Sequence, residues 1–271
     1  MPCAPLNRSL LHLGRRGYYA PAWPYDAFDF SRLDENDDAI MYSEVSPHPP
    51  HSHPLSCSQA YASSCANPQP RFVTHLDDDA LLSLTKSYRC LLAGFPHAQA
   101  KPSKSKFAIL DTCASWKSYL PEDVLSDDSR VAVQGLNRAE LDANKRATER
   151  VVANLNRCPK LPFGDGEFDL VTNVSSVDYL TDPRAVFGEI HRVLRPGGCV
   201  AVAFSNRCFD SKAVALWLRK ISDGAALAEV VCNYLHFGAT DGWAHISCAD
   251  VSPQGSRSGD PLYLVVATKK L

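Results

Sequence analysis

Apolar and polar positions alternate most legibly between Leu161 and Phe204. Phe168, Leu170, Val171 and Val174 form an apolar run suited to a strand covered on both faces. Asp182 and Pro183 follow, a capping residue and a proline at the first helical position, and they predict a helix start. Val186, Ile190, Val193 and Leu194 then recur at helical spacing and predict the buried stripe of that helix. Arg195 suits the negative helix end, and Pro196, Gly197 and Gly198 stop the helix before Cys199 to Phe204 resumes as a strand. Strand, helix and strand in this order predict a parallel pair joined by a right-handed crossover.

The same reading extends over most of the chain. Val73 to Leu92 is a helical lead-in that Thr74 or Asp77 can cap, with Leu81, Leu82, Leu84 and Tyr88 on its apolar face. Phe107 to Leu110 is a short buried strand ending in Asp111, and Arg130 to Gly135 is a second. Ala139 to Asn154 begins as a helix rich in Ala, Glu, Lys and Arg, and its end feeds a third strand around Val151 and Val152. Val214 to Lys220 is amphipathic, with Trp217 and Leu218 on its apolar side. Gly242 to Ala249 and Pro261 to Thr268 read as two strands joined by a polar loop. Strands alternating with helices predict an α/β doubly wound sheet, closed by an antiparallel C-terminal hairpin.

Composition divides the chain in two. Ser46 to Pro70 is dominated by Ser, Pro, His, Ala and Cys, which supply too little apolar surface to fold alone. Residues 1–70 are therefore expected to be an irregular extension and residues 71–271 one domain. His48, His51, His53, Cys57 and Cys65 fit no closed four-ligand spacing, so no metal is expected there. With 271 residues the chain can bury one sizeable core. A net charge of -2 without a basic block argues against a nucleic-acid surface. No apolar run reaches the ~18 residues of a membrane span. The ten cysteines lack a repeated CxxC spacing and read mostly as reduced core residues of an intracellular, cytoplasmic protein. Arg8, Arg15 and Arg16, with no acidic side chain before Asp26, equally fit an organelle transit peptide for a chloroplast or mitochondrion. Neither a GxGxxG turn after the first strand nor a GxSxG elbow is present, which removes nucleotide-dependent oxidoreductases and serine hydrolases.

The segments LPF and FDLV, the helix after them, and VLRPGG with its strand resemble the second half of a class I S-adenosylmethionine (SAM) dependent methyltransferase of the type 11 group. More closely, they resemble an uncharacterised methyltransferase-like group of plants and algae. The resemblance covers Ile109 to Phe204 well. It implies a Rossmann-like, seven-stranded, mainly parallel sheet with helices on both faces, and SAM over the ends of the first four strands. In the family the first strand runs into an acidic residue and a glycine-rich turn. Asp111 is retained here, whereas Cys113, Ser115 and Lys117 stand at the glycine positions and Trp116 covers part of the site. The ribose-binding acid corresponds to Asn137 and the adenine-binding acid to Asn154, with Leu155 as an adenine wall.

Methyl transfer is a direct displacement, so the protein mainly holds the reacting groups in line and need supply no nucleophile. The loop after the fourth strand carries Asn173, Ser175, Ser176, Asp178 and Tyr179, and the loop after the fifth carries Ser205, Asn206 and Arg207. Asn173 is assigned to the cofactor side, Asp178 to the base, Tyr179 to a substrate wall or donor, and Arg207 to an anion clamp. His75, in the lead-in helix, is a further candidate. Two functions fit: a SAM-dependent methyltransferase with a small-molecule or otherwise unidentified acceptor, and a non-catalytic methyltransferase-like protein that binds a partner or serves a structural role. The altered glycine turn is what separates them.

Overall fold

The computed structural model describes residues 22–32, 70–96, 104–253 and 259–271. The lead-in helix α1 spans Asp78–Ala93, and the Asp77 carboxylate caps it by accepting the Ala80 N–H at 2.8 Å. Strands β1 (Ala108–Thr112) and β2 (Arg130–Gly135) follow, then α2 (Arg138–Ala143) and β3 (Glu149–Val152). The crossover unit is β4 (Phe168–Val174), α3 (Pro183–Val193) and β5 (Leu194–Phe204). Helices α4 (Ala215–Lys220) and α5 (Gly224–Gly238) precede β6 (Trp243–Asp250) and β7 (Tyr263–Lys269).

The strands form one seven-stranded sheet in the order β3-β2-β1-β4-β5-β7-β6. Pairings from β3 across to β5 are parallel, and β7 is antiparallel to both β5 and β6. This is the Rossmann-like sheet with the antiparallel C-terminal pair expected from the sequence. Period-two alternation sends neighbouring strand residues to opposite faces. Val171, Val200 and Val202 pack with Phe187, Ile190 and Tyr234 of α3 and α5, whereas Ile109, Leu170 and Ala201 pack with Leu84 and Tyr88 of α1.

The crossover unit forms as its sequence predicts. Asp182 accepts the Ala185 N–H at 3.1 Å, Pro183 opens the helix, and Val186, Ile190 and Val193 are buried. The Pro-Gly-Gly segment belongs to β5 itself, which starts at Leu194 rather than Cys199 and absorbs the segment in a register shift against β4. Gly198 is required there, because a Cβ would meet the Asp169 and Phe168 carbonyls at 3.0 and 3.1 Å.

Other elements depart from expectation. The helix expected over Ala139 to Asn154 is α2 alone and ends before Asn144. Arg150 donates to the Leu141 and Asn144 carbonyls at 2.8 and 3.1 Å, while Asn144 donates to Ser115 O and Ser118 Oγ at 2.9 and 3.1 Å, so the chain turns there to reach β3. Helix α5 carried no sequence prediction: it is buried on nearly every side, and an apolar surface all round erases the periodicity. Its outer side is covered by Trp23, Tyr25 and Phe30, and Asn233 Nδ2 donates to the Tyr25 hydroxyl at 2.9 Å. Residues 22–32 thus pack on the fold although they precede the expected domain start at residue 71. The His48, His51, His53, Cys57 and Cys65 group and the basic N-terminal stretch lie outside the described residues. Cys90, Cys113, Cys199, Cys208, Cys232 and Cys248 are reduced, whereas Cys158 is disulfide-bonded. Among the described residues no helix is long and apolar enough to cross a membrane.

Candidate functional site

In an open α/β sheet ligands bind beyond the carboxyl ends of the strands where strand order reverses, here between β1 and β4. A cavity of about 350 Å³ opens there, within the ~300–1,000 Å³ usual for small-molecule sites. Its floor is the strand ends: Asp111 and Thr112 of β1, Gln134 of β2, Ala153 after β3 and Val174 of β4. The walls come from the following loops: Cys113 to Lys117, Leu136, Asn154 to Asn156, Ser175, Ser176, Tyr179 and Leu180, and Arg207 to Phe209. Val73, His75 and Leu76 close one side from the segment before α1.

The β1 loop folds without its glycines. Cys113 takes a positive φ of 53°, a conformation a non-glycine residue adopts at a cost of about 1–3 kcal/mol unless its surroundings fix it. They do. The Cys113 N–H donates to Gln134 Oε1 at 3.0 Å, the Ala114 N–H donates to the Gln134 carbonyl at 2.7 Å, and Gln134 Nε2 donates to the Ala153 carbonyl at 2.8 Å. Gly135 permits this approach, since a Cβ there would sit 2.1 Å from the Ala114 carbonyl oxygen. Ser115 Oγ donates to Glu140 at 2.5 Å and Trp116 Nε1 to the Val73 carbonyl at 3.1 Å. The loop is therefore stapled to β2 and α2, and the two N–H groups directly after β1 are spent inside the protein.

Asp111, Cys113, Ser115, Trp116, Lys117, Asn154, Leu155, Ser175, Ser176, Tyr179 and Arg207, all singled out from the sequence, meet in this cavity. Asp111 accepts from Ser118 Oγ at 2.6 Å and Thr172 Oγ1 at 2.8 Å; burial pushes its carboxyl up to about 6 while those hydroxyls pull it down. Asn154 lines the cavity, its Oδ1 accepting the Asn156 N–H at 2.9 Å, and Leu155 forms a buried wall. The Tyr179 hydroxyl accepts the Phe209 N–H at 2.9 Å, and burial with the neighbouring Asp178 charge keeps the phenol protonated. Arg207 is exposed and ion-paired with Asp260 at 2.7 Å.

Asn137, Asn173 and Asp178 do not line it. Asn137 Oδ1 accepts the Glu140 N–H at 3.1 Å and caps α2, so Leu136 faces the cavity in its place. Asn173 is buried in β4, donating to Thr112 Oγ1 at 3.3 Å. Asp178 is buried outside the lining; one carboxylate oxygen has no partner, and burial raises the group to about 7.

His75 does line the cavity, from a bend before α1 rather than from the helix. Its ring meets the Phe209 ring edge-to-face at 5.4 Å, and burial and then Arg71 hold the imidazole below its ordinary 6.5.

Residues 126–202 match the family model described as a methyltransferase domain. Over these residues the chain is similar to class I methyltransferase domains of the type 11 kind. A cycloartenol-C-24-methyltransferase of Oryza sativa is 34% identical over 82 residues, 27% of this chain and 24% of that protein. An uncharacterised methyltransferase of Synechocystis is 33% identical over 86 residues, 28% of this chain and 41% of that protein. The chain thus spans well under half the length of the curated relatives it matches. Among solved structures, a phosphoethanolamine N-methyltransferase of Haemonchus contortus in complex with S-adenosyl-L-methionine aligns at 12% identity and TM-score 0.44, over 68% of this chain and 52% of that one.

Several residues that shape the cavity went unnoticed in the sequence. Gln134 was legible in principle, as the polar residue ending an otherwise apolar strand, VAVQG. Leu136, Phe209 and Asp260 carried no local signal, because their roles depend on loops that meet only in the folded chain.

Proposed function

We propose that this chain is a SAM-dependent methyltransferase acting on a small-molecule acceptor. The observation that carries the reading is a cavity of about 350 Å³ over the ends of β1 to β5, in a chain whose residues 126–202 match a methyltransferase domain. The lining fits the cofactor's adenosyl part: Leu136, Ala153 and Leu155 offer flat apolar contact, with the polar Asn154 beside them. Lys117, which lines the same cavity at a family glycine position, supplies a cation for the amino-acid carboxylate, replacing the Cys113 and Ala114 N–H groups bound to Gln134. When bound, SAM supplies a methyl group that forms a bond to the acceptor's lone pair as the carbon–sulfur pair stays with sulfur.

The chain's own task is to orient the acceptor, exclude water and remove one proton. Tyr179 and Phe209 wall the acceptor side. His75 is the base in this reading, because its imidazole is neutral at pH 7 and faces the cavity, whereas Asp178 stands outside the lining. Asp178 acts through Tyr179, whose phenol burial and then the Asp178 charge keep protonated.

A non-catalytic reading has one observation in its favour: Asn137, at the ribose position, spends its carbonyl on the α2 cap. Calorimetry and thermal shift with SAM and its demethylated product separate the two readings. Both ligands are expected to bind, adding about 2.7 kcal/mol of stability at 100 times the dissociation constant. Lys117→Ala should weaken both about ten-fold while leaving 5′-methylthioadenosine, which lacks the carboxylate, unchanged. No binding at millimolar ligand to the folded protein would overturn the enzyme reading in favour of the non-catalytic one.

A further inference from the structure

The charge and shape of the acceptor side narrow the class of molecule that enters it, an inference that rests on the methyl-transfer reading above. Among the described residues, Asp111 is the single carboxylate lining the cavity. It is 5% exposed, and its oxygens take hydroxyl hydrogen bonds from Ser118 and Thr172. Lys117 and Arg207 line the same space as exposed cations.

Arg207 is held in place from behind. Its Nη2 is 2.7 Å from Asp260 Oδ1, while Asp260 Oδ2 accepts the Asp77 N–H at 2.9 Å and Asp77 Oδ2 accepts the Asp260 N–H at 2.6 Å. Asp260 is thereby fixed at two further points, and the pair orients the guanidinium rather than using it up. A guanidinium carries a planar fork of donors, and this one, ion-paired with Asp260 and within electrostatic reach of Asp77, lines the cavity while remaining exposed. Beside it, the Phe209 ring is 38% exposed and lies 6.4 Å from the Tyr179 ring and 5.4 Å from His75. An aromatic face next to an oriented cation recognises a flat body with an anionic end.

We propose that the methyl acceptor is a planar, aromatic or similarly flat molecule carrying an anionic group, its ring against Phe209 and Tyr179 and its anion on Arg207. A cationic amine of the same shape meets Arg207 and Lys117 with no free carboxylate on the lining to offset them.

A matched trio of phenols tests this: 4-hydroxybenzoate, 4-hydroxybenzamide and tyramine present one ring with an anionic, a neutral and a cationic para substituent. Each is titrated calorimetrically into the full chain saturated with S-adenosylhomocysteine. The benzoate is expected to bind at least about ten-fold tighter than tyramine, with the amide between. Arg207→Gln should bring the benzoate to within about three-fold of the amide, with S-adenosylhomocysteine affinity unchanged. Equal or reversed ranking, or a preference that survives in Arg207→Gln, overturns the proposal. If S-adenosylhomocysteine itself does not bind, the cofactor reading fails, and the same ranking measured on the protein alone still decides the acceptor class.

Discussion

Asp178 is a carboxyl group in the wrong place for the base its sequence position advertised. It is 2% exposed, one oxygen has no partner, and burial raises it from 3.8 to about 7. A carboxyl whose pKa is higher folded than unfolded contributes stability below the unfolded value, and that stability is lost as pH rises through the folded one. The window therefore runs from about pH 4 to about pH 7. Asp178→Asn keeps the shape and removes the titration. The variant should gain stability on the wild type across that window, reaching roughly 2–4 kcal/mol by pH 8, since each ten-fold change in proton affinity is worth about 1.4 kcal/mol. Denaturant unfolding of both proteins at several pH values checks it; a difference that stays flat with pH would mean the carboxyl titrates normally. At this scale the position of Asp111, Asn154 and Leu155 on the cavity was legible, because they lie at or just beyond strand ends. Asn137 and Asp178 were not, because a residue beside a strand end can turn inward, and local sequence does not record which way.

The segment before α1 shows the same limit for an element. Val73 to Asp77 has the composition of a helix start, yet the chain stays non-helical, bending at His75 and Leu76, until Asp77 caps α1 through the Ala80 N–H. Long-range partners hold it open: Arg71 N–H on Glu140 at 2.7 Å, Val73 carbonyl on Trp116 at 3.1 Å, and Asp77 and Asp260 exchanging backbone-to-carboxylate bonds. Arg71 also lies 5.9 Å from the Phe209 ring centroid, so the strap crosses from the β1 loop to the β5 loop and brings His75 over the cavity. Asp260→Ala removes the acceptor of the Asp77 N–H and the partner of Arg207 together. Hydrogen exchange of the amides from Arg71 to Asp77 should then quicken at least about ten-fold, with β4 and β5 unchanged. Exchange that stays at the wild-type rate would show that the strap is held without the clasp.

For the molecule as a whole, residues 22–32 matter more than their sequence promised. Trp23 lies against Tyr25, Phe30, Tyr234 and Phe237 at centroid distances of 5.1, 5.9, 6.2 and 5.6 Å, and the Arg184 guanidinium lies over it at 5.1 Å. Ala215 N–H donates to the Ser31 carbonyl at 2.9 Å, and Asp29 pairs with Arg219. We propose that the folded unit includes this segment, so a chain starting at Arg71 should lose about 2–4 kcal/mol relative to the full chain by exposing the buried side of α5. Equal melting temperatures for the two chains would place the boundary at residue 71 after all.

The crossover from Phe168 to Phe204, the strands on either side of it and the antiparallel end were determined by the sequence alone. Their information is local: an apolar run, a cap, a proline and a Gly-Gly pair each act within a few residues. Only the tertiary structure decided that α2 stops at Asn144, that α5 exists as a helix buried on nearly all sides, and that Cys113 can replace a glycine because Gln134 clamps it and Gly135 makes room. It also decided which polar residues face the cavity, since that orientation is set by partners such as Glu140 and Asp260, which lie far away in the chain and adjacent only once the sheet has closed.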